Sequence, residues 1–349
     1  MSKLSDVASV ARKVIKFGGI ALVFLMVGRV ILVASLAYWK ALHPDPPPPP
    51  DVKFGKLPKL LFPQKDVPKF TYKLETRTGS LPTALPDQYK VFFMPIKKPS
   101  LLAYSVAKDL GAKLDFITEP TKLSETDYRW DMSSSIDSSL TMNIITGAFI
   151  LDRKWQQDQS FETATLYLDE NQAVDQVYNF LSRIELLSQD LQKGTHNIQP
   201  LKADSGELTS APSLSKAQFL RVNLFRAPVA DTKVVSPSPD KGLISAVLAF
   251  QREDARQFVR VDYNYFPVDL EQFASYPLIT PTEAWNRMQN GGGYVAAYRQ
   301  GADSVTVRDV NMAYYDSDIP QQFLQPVYLF EGDEGFVGYV PAVSDKWVE

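Results

Sequence analysis

The 349-residue chain contains no cysteine. Disulfides, thiolate metal sites and cysteine nucleophiles are therefore excluded, and the fold holds by packing alone. Histidine is scarce as well. His43 and His196 are the two in the chain, and neither has an Asp, His or Cys neighbour at ligand spacing, so no zinc site is expected. No Asn-x-Ser/Thr acceptor occurs, and nothing points to eukaryotic glycosylation. The 37 Lys and Arg nearly balance 40 Asp and Glu for a formal net charge of −3. The basic footprint of a nucleic-acid-binding protein is missing, and no nucleic-acid partner is expected. A Gly-x-Ser-x-Gly nucleophile elbow is missing too, and Ser105-Val106-Ala107-Lys108 stands without the companion motifs of penicillin-binding enzymes. Gly291, Gly292 and Gly293 follow an expected helix instead of opening one, and no Gly-Lys-Ser/Thr accompanies them. No catalytic residue, cofactor or metal site is expected from these patterns.

What the chain does have is a long apolar run. Residues 17–39 are apolar apart from Arg29 and a few small residues. A bilayer core needs about 20 such residues in a helix, so the run is long enough to span with some tilt. Tyr38 and Trp39 close it as interface anchors, because aromatic rings settle at the headgroup level. Arg12, Lys13 and Lys16 flank the near end and Lys40 the far end. That asymmetry predicts a cytoplasmic basic tail over residues 1–16 and an extracytoplasmic bulk. Ser35-Leu36-Ala37 offers the rival reading of a cleaved signal peptide, against which the apolar run exceeds the ~7–15 residues of a signal-peptide core. Arg29, near mid-span, either snorkels toward the headgroups or serves self-association of the span, or pairs with an acidic residue of another membrane protein. The expected partners are thus the lipid bilayer and a membrane or envelope protein. The simplest home is a bacterial cell envelope.

Residues 40–68 read as a proline-rich stalk. Pro44-Asp45-Pro46-Pro47-Pro48-Pro49-Pro50 cannot continue a helix and favours an extended polyproline spacer. Phe54, Leu57, Leu60 and Phe62 predict that the later half docks on the folded part. Beyond it, period-two alternation marks strands at 70–76 and 89–94. A short helix opened by Ser100 carries Leu102, Val106 and Leu110 and stops at Gly111, and strands follow at 128–132, 138–144 and 148–151. These form a first module over 69–155. A linker over 156–217 holds the longest helix outside the span, opened by Asp169 with Gln172 three residues on. Its apolar stripe includes Val174, Val177, Leu181, Ile184 and Leu187, and Gly194 ends it; residues 203–215 and 229–242 read as loops.

The second module, 218–349, has strands at 219–225, 243–250, 258–266, 294–298 and 305–315. A hairpin at 327–330 and 336–340 turns across residues 332–335. Thr280-Pro281-Thr282-Glu283 is a helix entry with threonine as cap and proline at the first helical position. The predicted fold class is α+β: an N-terminal transmembrane helix and Pro-rich stalk, then two modules of antiparallel sheet with short helices and one long helix between.

Acidic residues gather at Glu331, Asp333 and Glu334 and at Asp316 and Asp318, where turn chemistry competes with calcium binding. Tyr263, Tyr265, Tyr294, Tyr298, Tyr314 and Tyr315 lie on predicted strands, as cross-strand packing or as an exposed partner surface. From residue 278 onward the pattern resembles the C-terminal part of YycH/YycI-type proteins and, more loosely, PepSY-type domains. The residues that carry it are Ile279-Thr280-Pro281-Thr282-Glu283-Ala284-Trp285, the strand at 307–315, Gln325-Pro326-Val327-Tyr328-Leu329-Phe330-Glu331-Gly332, and residues 336–342. The resemblance implies an extracytoplasmic protein, anchored by one N-terminal helix, that modulates a membrane partner such as a sensor kinase without catalysis. Two other readings stand beside it: a structural subunit of an envelope or secretion assembly, and a cell-wall glycan-binding protein.

Overall fold

The computed structural model describes residues 3–42, 48–83, 85–163, 169–249 and 257–349. The chain divides into two units, Met1–Pro49 and Pro50–Glu349. The first is helix α1 (Lys3–Leu42), which takes in the basic tail as well as the apolar run. Within it Arg12–Lys40 is long and apolar enough to cross a membrane, with a mean hydropathy of 2.5 and none of that window buried in protein. His43 and residues 44–47 of the expected stalk lie outside the described residues.

The second unit opens with β1 (Thr71–Leu74), β2 (Gln88–Phe93), α2 (Ala103–Lys113), β3 (Thr121–Lys122), β4 (Asp127–Met132), β5 (Ser138–Asn143) and β6 (Phe149–Arg153). Helices α3 (Ser160–Thr163), α4 (Glu170–Arg183) and α5 (Gln189–Gln192) follow, then β7 (His196–Asp204), β8 (Glu207–Ser210), β9 (Phe219–Leu224), β10 (Val234–Val235), β11 (Ile244–Ala249) and β12 (Phe258–Tyr263). The last stretch holds β13 (Asp269–Pro277), α6 (Pro281–Gln289), β14 (Tyr294–Ala297), β15 (Ser304–Tyr315), β16 (Phe323–Gly332) and β17 (Val337–Pro341). The class is α+β, as expected.

Among the described residues, nine strands form one antiparallel sheet in the order β3-β4-β5-β6-β12-β11-β9-β7-β8. Eight form the other, along β1-β15-β16-β17-β14, with β10 also on β15, β2 on β16 and β13 on β2. There β1 and β10 run parallel to β15 and the remaining pairs are antiparallel. The sheets therefore cut across the expected modules 69–155 and 218–349. Strands β1 and β2 join the C-terminal sheet, whereas β6 pairs with β12 and so ties β4 and β5 to β11 and β9. The region 156–217 is no linker, since β7 and β8 complete the nine-stranded sheet and α4 packs on it. Alternation identifies a strand but says nothing about its neighbour in the sheet.

Local signals explain most element ends. Asp169 and Gln172 close a reciprocal capping box at α4, which buries Ala173, Val174, Val177, Phe180 and Leu181 against the sheet. The helix stops at Arg183 instead of reaching Gly194, because Glu185 turns left-handed at φ 62°. Thr280 caps α6 by accepting the Glu283 N–H at 3.2 Å, with Pro281 in the first turn. Helix α6 then lies on β17 where Gly338 leaves room for Met288, whose Cε would be 2.5 Å from an added Cβ. Helix α2 runs past Gly111 to Lys113, and Gly111 packs on Trp130 inside the helix instead of ending it. The expected loops 203–215 and 229–242 contain β8 and β10, and β7 and β13 were not expected as strands. Pro200 inside β7 and the run of Asp, Glu and Gln at the start of β13 hide any alternation.

The chain after the prolines is stitched into the second unit. Leu57 is fully buried, and its N–H and C=O bond to Trp347 and Glu349 at 2.8 and 2.9 Å. Phe62 stacks on Tyr294, with centroids 4.9 Å apart. The stalk expected over 40–68 is thus part of the folded unit from Asp51 through Phe62, and the predicted docking of its later half is observed.

Candidate functional site

The six tyrosines do not form an exposed surface. Tyr263, Tyr294, Tyr314 and Tyr315 are buried, and Tyr265 and Tyr298 half-buried. The last residues of β15 are buried on both faces, which period-two reasoning about a half-solvated strand does not anticipate. Buried phenols need partners, and these find backbone carbonyls. Tyr294 donates to Pro237 O at 2.9 Å, Tyr314 to Lys90 O at 3.0 Å, Tyr315 to Leu61 O at 3.2 Å and Tyr263 to Leu186 O at 3.3 Å. Burial pushes all four phenols above their ordinary pKa. Three of these bonds fasten loops to the sheets, and that of Tyr314 ties β15 to β2.

Tyr263 and Tyr265 also line a cavity. This groove of about 680 Å3 runs between α2 and the turn after α4. Its floor is Ala107, Met142 and Tyr263, and its walls are Leu110, Leu186 and Leu187. The apolar repeat Leu102, Val106 and Leu110 lines it, while the buried residues of α2 are Ala107 and Gly111, with Leu110 half-buried against the same core. Small residues let the helix sit close over Trp130 and leave the larger side chains at the opening. Leu101, Leu102 and Val106 are exposed beside it, together with Ile96. Polar atoms on the floor are already engaged, since Tyr265 donates to Asp190 Oδ1 at 2.9 Å and Tyr263 to Leu186 O. Lys97 and Lys98 stand at the mouth without a carboxylate partner among the described residues. On the other rim Glu185 pairs with Lys113 at 2.8 Å.

A second cavity, about 660 Å3, lies between the start of β7 and strands β10, β16 and β17. It holds His196, expected in a loop and found opening β7, and the ion pair Lys233–Glu331 at 2.9 Å. Beneath it Arg226, almost wholly buried, spans the two sheets. It donates to Asp316 Oδ2 at 2.9 Å, to Asp190 Oδ2 and to Phe266 O at 2.6 Å, and stacks over Tyr265 at 4.8 Å. Burial pushes the Asp316 carboxyl up, and its Oδ1 has no hydrogen-bond partner. Each of the three guanidinium nitrogens of Arg226 donates to a partner within the protein, so the cluster is a clamp. The acidic residues of the 331–334 turn are paired as well: Asp333 with Arg308 at 2.6 Å, Glu334 with Arg299 and Glu331 with Lys233.

In the first unit, Arg29 lies within the apolar stretch of α1 and has no ion-pair partner among the described residues. Tyr38 and Trp39 are exposed near the end of the helix.

No protein-family model matches the chain, and no curated protein matches it. Among solved structures it is similar to an uncharacterized protein from Eubacterium rectale, at 11% identity over 74% of this chain and 82% of that one, with a TM-score of 0.34.

Proposed function

We propose that the protein is a single-pass membrane-anchored protein with a cytoplasmic N-terminus. Its second unit lies outside the cytoplasm and acts through protein contacts and not by catalysis. The observation that carries this reading is α1, an apolar helix with an unburied span-length window in which Arg29 is the one charge within residues 17–39. A charge at that depth is costly unless it meets a partner or reaches the headgroups. The partner is a membrane or envelope protein, and the resemblance of the region from residue 278 to YycH/YycI-type regulators makes a membrane sensor the first candidate. Arg29→Leu tests the contact. It should preserve insertion and lower recovery of crosslinked membrane proteins, read by crosslinking mass spectrometry in native membranes. Unchanged recovery removes Arg29 from the contact.

A further inference from the structure

We propose that the groove beside α2 takes the acyl chain of a long-chain fatty acid, with its carboxylate held at Lys97 and Lys98. This goes beyond the anchoring and protein contacts above and does not depend on them.

Size, lining and charge converge on that ligand. The volume of about 680 Å3 lies inside the ~300–1,000 Å3 range of small-molecule pockets. Val106, Leu110, Met142, Leu186 and the ring of Tyr263 present hydrocarbon and an aromatic ring. The tyrosine hydroxyls are committed to Leu186 O and Asp190, so no polar group inside asks for a polar ligand. An apolar chain therefore suits the interior and a charged end does not.

Among the described residues the unpaired charge at the mouth is of one sign. Lys97 and Lys98 are exposed and lack a carboxylate partner among the described residues, whereas the one acidic side chain on the rim, Glu185, is held by Lys113. The Lys97 ammonium lies over Gly147, which also lines the groove, 3.7 Å from where a Cβ would stand. Exposed Leu101, Leu102 and Val106 continue the apolar wall outward as a lip. Contiguous exposed hydrocarbon of this kind marks a binding surface.

The test uses the full-length chain in phosphatidylcholine nanodiscs loaded with a diazirine-bearing palmitate, with crosslinks mapped by mass spectrometry. Label is expected on peptides of α2 and of residues 142–147. It should fall at least about fivefold in a Lys97→Glu/Lys98→Glu variant, whose charges are reversed at exposed positions. Val106→Asp, an exposed wall position whose change leaves the core intact, should lower it as well. Equal groove labelling in all three proteins, or label confined to α1, overturns the proposal. So does equal groove labelling by a diazirine alkane that lacks the carboxylate. Label on α1 reports separately on the anchor, so failure of the two readings can be told apart.

Discussion

Arg226 sits at the end of β9 and Asp316 at the end of β15, so one side chain joins the two sheets. Removing either member has unequal consequences. Arg226→Met leaves Asp316 buried and uncompensated, which costs about 3–5 kcal/mol at neutral pH. Asp316→Asn keeps an acceptor for the Arg226 Nε–H, while Asp190 and Phe266 O still hold the guanidinium, so the loss stays within about 1 kcal/mol. Acidity modulates the first deficit. Burial raises the Asp316 pKa above its ordinary 3.8 in the folded state. Its neutral form is therefore tolerated below 3.8, and the penalty grows as pH rises through the folded pKa. The Arg226→Met deficit, measured by urea unfolding against the parent protein, should be larger at pH 7 than at pH 4. Equal deficits at both pH values, or a larger loss for Asp316→Asn, would show that the arginine is not what compensates the acid.

At the scale of elements, the segment after the prolines makes the clearest case. Leu57 is buried between the chain's C-terminal residues and β13, in a cluster with Val91, Tyr276 and Val343. Leu57→Ala should cost about 2–5 kcal/mol by leaving a cavity. Leu61→Ala, at an exposed position only four residues on, should change stability by no more than about 0.5 kcal/mol. Matching small effects in denaturant unfolding would mean that the segment does not dock. A cap prediction accompanies it: Asp169→Ala removes one arm of the capping box on α4 and should lower stability by about 1 kcal/mol in the same assay.

These elements also show what the chain reveals before it is folded. Caps are local, and Asp169, Gln172, Thr280 and Pro281 announced the starts of α4 and α6 from side-chain chemistry alone, whereas α2 starts at Ala103 with Leu102, not the expected Ser100, at its cap position. Hydrophobic spacing placed β2, β4, β5, β9, β11, β12 and the β16–β17 hairpin. Docking of residues 51–62 was readable from Phe54, Leu57, Leu60 and Phe62, since apolar side chains in an otherwise polar stretch need a surface. Strand partners were not readable, because pairing of β1 with β15 or β6 with β12 spans long sequence separations that no local pattern encodes. Burial of Tyr314 and Tyr315 followed from that pairing and from the cover supplied by residues 60–62 and by β2. The groove was hidden for the same reason. Leu102, Val106 and Leu110 look like a core stripe until Gly111 is seen drawing the helix onto Trp130 by its other face.

At the scale of the whole molecule, the lack of cysteine is an experimental asset, because any thiol introduced is the only one in the chain. Ser133→Cys lies at an exposed position between β4 and β5, and Ser5→Cys lies before the apolar run of α1. A membrane-impermeant maleimide sorts these two positions by the side of the bilayer they occupy. With the N-terminus cytoplasmic, the reagent should label Ser133→Cys in intact spheroplasts and Ser5→Cys only after permeabilisation. The positive charges nearest the run, Arg12, Lys13 and Lys16 against Lys40, favour that orientation. The wider count is nearly even, because Lys53, Lys56 and Lys59 follow on the far side, so the immediate flank must decide. Labelling in the reverse order would overturn the proposed orientation, and labelling of both positions without permeabilisation would overturn the span itself. A cleaved leader separates from both outcomes, since the Ser5→Cys label would then travel on a short peptide and the Ser133→Cys label on the shortened chain.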